Sequence, residues 1–233
     1  MTHAQNASRP YVTASAAMSL DGYLDTASPP RLALSSDADF DRVDEVRAAH
    51  DAVLVGARTV RLDDPRLLVR AEERRQRRTE AGRGPNPTKV TVTATGDLDP
   101  SARFFTAGDA EKLVYCPDRL SERLRHRLPL ATVVGLGADV SVPGLLRNLG
   151  ERGVASLMVE GGGRVLTQFL TSGLVDELHL VVAPFFIGDR RAPRFVCDAE
   201  FPWAPDRRAR LIESTPYGDV VLLRYGLSDR CDA

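Results

Sequence analysis

The stretch Val159-Glu160-Gly161-Gly162-Gly163-Arg164-Val165-Leu166 constrains this chain more than any other. Before it, Val154-Ala155-Ser156-Leu157-Met158-Val159 is short, apolar and partly β-branched, the pattern of a buried strand. After it, Val165, Leu166, Phe169 and Leu170 recur at helical spacing, and Gly173 supplies a stop. The glycines therefore sit on a strand-to-helix turn. A tight turn that needs glycine for its φ angles alone explains such a run. So does a backbone left open to a ligand, because free N–H groups and the helix dipole favour an anion such as a pyrophosphate.

The 233 residues suit one α/β domain or two small ones. A formal net charge of −1 leaves no basic field for nucleic acid. No apolar run approaches the ~20 residues of a bilayer span. Met1 to Pro10 lacks the apolar core of a secretory signal. Cys116, Cys197 and Cys231 are far apart and form no CxxC, which reads as reduced thiols in a cytoplasmic protein. His3, His50, His126 and His179 show no metal-ligand spacing, so no metal is expected. His179 lies inside an expected strand, where a core or surface role outweighs ligation.

In chain order, a tail over 1–10 precedes a first strand, Tyr11 to Met18, and Asp21-Gly22 marks a hairpin corner. Ser36 reads as the N-cap of a helix ending near His50, with Asp37 and Asp39 in its first turn and Phe40, Val43 and Val46 as its apolar stripe. Ala52 to Gly56 is a central strand. Ala57 to Leu62 is a short helix whose start, Gly56–Thr59, forms a second anion site, broken by Asp63-Asp64-Pro65. Leu67-Leu68-Val69 reads as an edge or connecting strand. Residues 71–88 read as a solvated helix end plus loop. Lys89 to Thr95, Leu113 to Tyr115 and Thr132 to Val134 are strands; Leu120 to Leu128 is a helix, and Pro143 opens another that buries Leu145, Leu146 and Leu149. Glu177 to Ala183 is a further strand, and Arg207–Glu213 with Asp219–Tyr225 closes the chain as an antiparallel pair. The expected fold is α/β: a mixed, mostly parallel sheet with helices on both faces and a C-terminal antiparallel pair. It forms a single domain over 11–226, with a second tail over 227–233.

No nucleophile–base arrangement stands out, and no G-x-S-x-G occurs. Both anion sites would lie at the carboxyl ends of parallel strands, where open α/β sheets bind ligands. Two such sites suit a dinucleotide, although the G-x-G-x-x-G fingerprint is absent.

Met18-Ser19-Leu20-Asp21-Gly22, Asp51 through Val60, Asp63 through Arg70, Val159 through Gly163 and Gly173 through Leu178 together resemble the riboflavin-pathway pyrimidine reductases, in order and spacing from about residue 11 to 225. The resemblance implies a dihydrofolate-reductase-like fold and NADPH-dependent reduction of a ribosylamino-pyrimidine, 5-amino-6-(5-phosphoribosylamino)uracil, to its ribityl form. It implies the reductase half alone, without the zinc deaminase that many bacteria fuse to it. By the same resemblance Ala17, Thr59, Asp63, Thr95 and Gly162, Gly163, Arg164, Val165, Leu166, Thr167 and Gln168 touch the dinucleotide; Gly161 joins them through the anion-site reading. Arg47, Leu67, Arg70 and Glu160 fall on substrate-binding positions. Asp63 or Glu160 is the carboxylate expected to orient the substrate or stabilise an iminium, since the nicotinamide carries the hydride. Arg58 and Arg103 are candidates for the cofactor 2′-phosphate, and Arg31, Arg47, Arg66 and Arg70 for a sugar phosphate. A homodimer is implied, with Leu178–Ala183 and Phe185-Phe186-Ile187 either as its candidate contact or as completion of the core. The family's Ser-x-Trp-Ile-Ser/Thr segment is replaced by Arg31-Leu32-Ala33-Leu34-Ser35, which bears on the substrate. Two other readings stand beside this one: a dihydrofolate reductase using Asp37 on a pterin, and a non-catalytic nucleotide-binding protein.

Overall fold

The structure is a computed structural model that describes residues 9–28 and 32–232. Most of the expected N-terminal tail, and Pro29, Pro30 and Arg31, lie outside the described residues. The elements in order are β1 (Tyr11–Ser19), α1 (Asp37–Ala49), β2 (Ala52–Gly56), α2 (Ala57–Asp63), α3 (Glu72–Glu80), β3 (Thr88–Val92), α4 (Arg103–Thr106), β4 (Lys112–Cys116), α5 (Asp118–Arg127), β5 (Thr132–Gly135), α6 (Val142–Glu151), β6 (Ser156–Gly161), α7 (Gly163–Thr171), β7 (Glu177–Ala183), β8 (Arg210–Tyr217) and β9 (Val220–Gly226), with a 3₁₀ turn at Asp229–Asp232. The α/β class and the mixed, mostly parallel strands with an antiparallel C-terminal end are as the sequence predicts.

The chain divides into two compact units: the described residues through Tyr11 with Asp44–Met158, and Val12–Val43 with the described residues from Val159 onward. In the first unit β2 pairs with β3, β3 with β4 and β4 with β5, all parallel. Every residue of β2 is buried, as its unbroken apolar run predicts. Two long cations are buried here against backbone carbonyls. Lys89 Nζ donates to Phe104 O (3.1 Å) and Ala107 O (2.5 Å). Arg78 donates to Ala48 O (2.8 Å), His50 O (2.6 Å) and Gly84 O (2.9 Å). The reading of 71–88 as a solvated helix end plus loop holds for most of the stretch, with one correction: α3, a helix of 9 residues, buries Arg78.

In the second unit β1 pairs parallel with β7, and β7–β9 and β9–β8 are antiparallel. Leu34, Val181, Ala183, Val220 and Leu222 form one core cluster in it, with Ala17, Leu32, Phe185 and Tyr217 packed on it. Asp176, fully buried, accepts from Val12 N (2.9 Å), Ser228 Oγ (2.6 Å) and Arg230 Nη1 (3.2 Å). The segment after 226, expected as a tail, thus engages this carboxylate and turns through the 3₁₀ element. Leu180, Val181 and Ala183 are buried, so the stretch expected as a dimer contact is mostly core; Phe186 beyond it is exposed.

Helix α1 starts where Ser36 predicts it, with Ser36 Oγ accepting from Asp39 N at 3.2 Å. Its expected apolar stripe is not what it buries. Phe40 is exposed and Val43 and Val46 are half-buried, while Asp39, Asp44 and Ala48 are buried. Asp44 is tolerated because arginines and backbone N–H groups meet it, whereas Asp39 is met by Arg42 Nε at Oδ1 (2.7 Å) alone and keeps a buried Oδ2 without a hydrogen bond among the described residues.

Candidate active site

The second unit holds the glycine turn. Gly161 and Gly162 take φ of 107° and 74°, which side chains rarely adopt, and Gly162 caps α7 without any side-chain bond. Val165 N and Leu166 N both donate to Gly162 O, at 2.9 and 3.1 Å. The N–H groups of Gly163 and Arg164 come before the helix can supply them with acceptors, so they are the donors this turn presents. A Cβ on Gly163 would run into the carbonyl oxygen of Arg194. The Pro193–Cys197 segment that brings this oxygen is pinned on two sides. Leu24 N donates to Pro193 O (2.7 Å) and Phe195 N to Gly22 O (2.9 Å); Cys197 N donates to Thr167 Oγ1 (2.8 Å), which donates in turn to Gly163 O (2.6 Å). The three glycines are therefore required for two reasons: positive φ at two positions and close backbone approach at the third. Glu160 is half-buried just before the turn, and Ala17 stands beside Val181 in register.

Asp21 is a residue of this unit that sequence reasoning reduces to a turn. Its carboxylate accepts from Ser19 Oγ (2.6 Å), Ile187 N (3.0 Å) and Gly188 N (2.8 Å). Burial works to raise its carboxyl, but these donors outweigh it and bring it down to about 2. The turn joins Asp21-Gly22 to the 185–195 segment rather than forming the corner of a hairpin.

The first unit holds the other expected residues. Gly56 caps α2 at φ −72°, again without a side-chain bond, and Thr59 and Asp63 are half-buried on that helix. Asp64 follows at φ 42° and accepts from Arg103 N (2.6 Å) and Arg103 Nε (2.9 Å). The guanidinium expected on the cofactor's 2′-phosphate is thus engaged by Asp64, while Arg58 is exposed. Thr95 is exposed, and its carbonyl accepts from Arg123 Nη2 at 3.2 Å.

Residues 67–69, expected as a strand, are irregular. Leu67 is buried at φ 48°, which takes it out of extended conformation, and Val69 N donates to the side chain of Asn86 (2.8 Å) rather than to a strand. Beyond it, Arg70 N and Ala71 N donate to the two oxygens of Asp44, at 2.7 and 3.0 Å. Arg74 Nη1 reaches Asp44 Oδ2 at 3.0 Å, and Arg70 Nε lies 3.6 Å from Oδ1. Burial works to raise the Asp44 carboxyl, but the Ala71 and Arg70 amides and the Arg74 guanidinium outweigh it and hold it below the usual range. Arg47 lies three residues beyond Asp44 on the same helix, so α1 brings two expected substrate residues, Arg47 and Arg70, to one neighbourhood. Asp44 and Asn86 carry no local sequence signal, because their partners lie 26 and 17 residues away.

A cavity of about 370 Å³ in this unit is lined by Asp51, Arg78, Arg83, Thr88, Glu111 and Arg152, among others. It opens at the amino ends of β2, β3 and β4, the opposite end from where parallel sheets bind ligands, and its charges balance. Among the described residues no group of three His, Cys, Asp or Glu is placed to hold a metal, and no helix is long and apolar enough to cross a membrane.

Comparison with known proteins gives this geometry a family. Over 220 residues the chain is 38% identical to the 2,5-diamino-6-ribosylamino-4(3H)-pyrimidinone 5′-phosphate reductase of Archaeoglobus fulgidus, covering 93% of this chain and 99% of that protein. The reductase of the same name from Methanothermobacter thermautotrophicus is 35% identical over 225 residues, covering 93% and 98%. Among solved structures, a diaminohydroxyphosphoribosylaminopyrimidine deaminase/5-amino-6-(5-phosphoribosylamino)uracil reductase from Thermotoga maritima matches at a TM-score of 0.76 and 27% identity. That match covers 94% of this chain but 56% of the Thermotoga protein, so the chain spans about half its length. The family model for the RibD C-terminal domain matches residues 10–223, and the chain belongs to that family.

Proposed function

We propose that the chain is an NADPH-dependent reductase of a phosphoribosylamino-pyrimidine in riboflavin biosynthesis. The observation that carries the reading is the uncapped, glycine-lined start of α7 at the end of β6, in a chain whose relatives are named as reductases. The donor set suits a dinucleotide phosphate: open first-turn N–H groups, a helix dipole and no competing carboxylate cap. Gly161 through Gln168 with Ala17, Thr59, Asp63 and Thr95 would hold the cofactor. Reduced nicotinamide supplies the hydride. The chain's own work is then to bind, orient and stabilise charge. Arg47 and Arg70 bind the sugar phosphate, with Leu67 on the same loop; the C1′–O4′ bond of the ribosylamine opens and O4′ takes a proton to become a hydroxyl, Asp63 or Glu160 stabilises the cationic C=N bond so formed, and hydride added at C1′ leaves a ribitylamino product.

The relatives' names divide over the pyrimidine: the archaeal reductases are named for a 2,5-diamino-pyrimidinone, the Thermotoga protein for a uracil. Both are substrates to test. A cytoplasmic homodimer completes the reading, with exposed Leu211, Ile212 and Val221 at the β8–β9 edge as its apolar contact. The test is NADPH oxidation by the purified protein with each pyrimidine and with dihydrofolate, repeated with NADH. Turnover of a pyrimidine with NADPH preferred is expected. Turnover of dihydrofolate that collapses in Asp37→Asn, with neither pyrimidine reduced, overturns the proposal.

A further inference from the structure

The residues from Asp63 to Ala71 form a loop that does not hold its shape by itself. It has no regular secondary structure after α2, and it contains both non-glycine residues with positive φ among those described, Asp64 at 42° and Leu67 at 48°. Positive φ is uncommon for Asp and an outlier for a bulky residue such as Leu, and it persists only where the surroundings over-determine it. Three side chains from three other parts of the first unit do so. Arg103 grips the Asp64 carboxylate at the start of the loop. Asn86 Oδ1 takes Val69 N at 2.8 Å. Asp44, from inside α1, takes Arg70 N and Ala71 N with one oxygen each. Asp44 is 1% exposed, so its two bonds are made out of water, where a charge-assisted bond is strongest. Its charge is balanced by Arg74, itself shared with Glu45 at 2.8 Å, so the anchor belongs to a network rather than to one pair.

We infer that Asp44 is a positioning residue for substrate: it fixes the backbone of Arg70 and Ala71, with Asn86 on the adjacent Val69, and so sets where the Arg70 guanidinium meets the sugar phosphate. The inference deepens the proposed function and rests on it, since Arg70 is taken as a substrate residue. A guanidinium recognises phosphate through a fixed fork, so a displacement of its backbone costs affinity without touching the cofactor.

Asp44→Asn keeps the volume and one acceptor but turns the second oxygen into a donor facing donors. Steady-state kinetics should show KM for the pyrimidine raised about tenfold or more, as for loss of a charge-assisted bond, with kcat and NADPH affinity changed less than about threefold. Hydrogen exchange should show the Arg70 and Ala71 amides losing protection while β2 keeps its own. Asn86→Ala, which releases only Val69, should show the same split at smaller size and serves if Asp44→Asn does not fold. Loosened amides with an unchanged KM overturn the inference, as does a KM rise matched by an equal loss of NADPH affinity, the mark of a general structural role. Arg70→Ala is run alongside: a KM that ignores Arg70 while responding to Asp44 also overturns it. Failure of the wild-type protein to reduce either pyrimidine shows itself without any variant and overturns the functional reading instead.

Discussion

The two strand-to-helix turns of this molecule look alike in sequence and differ in what they demand. At the end of β2, Gly56 caps α2 with φ −72° and ψ 154°, a conformation any residue adopts. At the end of β6, Gly161 and Gly162 sit at positive φ, and Gly163 has the Arg194 carbonyl where a side chain would begin. The first turn reaches its shape with a glycine it does not need for its backbone angles. The second cannot be built without glycine. A turn that excludes side chains on every side leaves its backbone bare, and bare N–H groups at a helix start are what a phosphate needs. The requirement of fold and the opportunity for binding coincide there, which is why glycine at that turn does not by itself separate the two.

Substitutions sharpen this contrast. The largest effect is expected from Gly163→Ala, whose methyl meets a backbone oxygen rather than a flexible side-chain end. It should cost on the order of 3 kcal/mol or more in urea unfolding. An Arg194-side rearrangement that left stability untouched would show the 193–197 segment to be loosely held.

A pH scan tests the two units against each other, with an effect of up to about 3 kcal/mol on the first. Burial pushes Lys89 down to about 8. Between that value and its ordinary 10.5 the unfolded chain holds more protons, so stability should rise with pH from about 8 toward 10. Tyr115, pushed up to about 12 by burial, ends the gain above its ordinary 10, where the unfolded chain ionises first. Glu177 in the second unit works at the other end of the scale. Burial alone would raise it, but His179 and Arg224 outweigh that and bring it to about 2. Its contribution is present above its ordinary 4.5 and is lost as pH falls toward 2. Equilibrium unfolding at fixed pH values, with Lys89→Met as the control for the alkaline limb, checks both signs. A flat alkaline limb in the wild type would remove Lys89 from the account.

Gly162→Val is expected next. A β-branched residue at φ 74° costs about 1–2 kcal/mol, and NADPH affinity in the folded fraction should fall by about tenfold as well. Lost stability with unchanged affinity, by calorimetry at a temperature where the variant is folded, would leave the turn a purely structural device. The smallest change is Gly56→Ala, expected to lie within about 1 kcal/mol of wild type. A large loss of NADPH binding in this variant alone would mean that a ligand approaches the first turn as closely as the second, and the contrast would fail.

Much of this architecture is legible in the amino-acid sequence. The glycine turn, the buried β2 run, the Ser36 cap and the closing antiparallel pair all follow from local pattern. What is not legible has one cause: partners distant in sequence. Asp44 on a helix reads as solvated until the Arg70 and Ala71 amides are seen to meet it. Leu67-Leu68-Val69 has the composition of a strand, but Asn86 and Asp44 take the amides of Val69 and Arg70 before a neighbour strand does. Arg78 sits in a run of charges and looks exposed, yet three backbone carbonyls bury it. The candidate site divides the same way. The residues expected at the cofactor turn form a contiguous motif, while the groups that hold the 63–71 loop, expected to carry substrate residues, are scattered along the chain.

The bracket around Asp176 has a consequence for how the chain is made. The first unit is nearly continuous in sequence and its strands pair in short steps, so it can close while the ribosome is still working. The second unit cannot. Its first strand emerges early, but the carboxylate that holds Val12 lies 164 residues on, and the Ser228 and Arg230 groups that complete it come more than 50 residues later still. β1 must wait, unpaired with β7, through most of synthesis. The nascent chain therefore carries a folded half with its 63–71 loop in place and an idle strand, and the half that bears the glycine turn completes its bracket only once the chain has been made through Arg230.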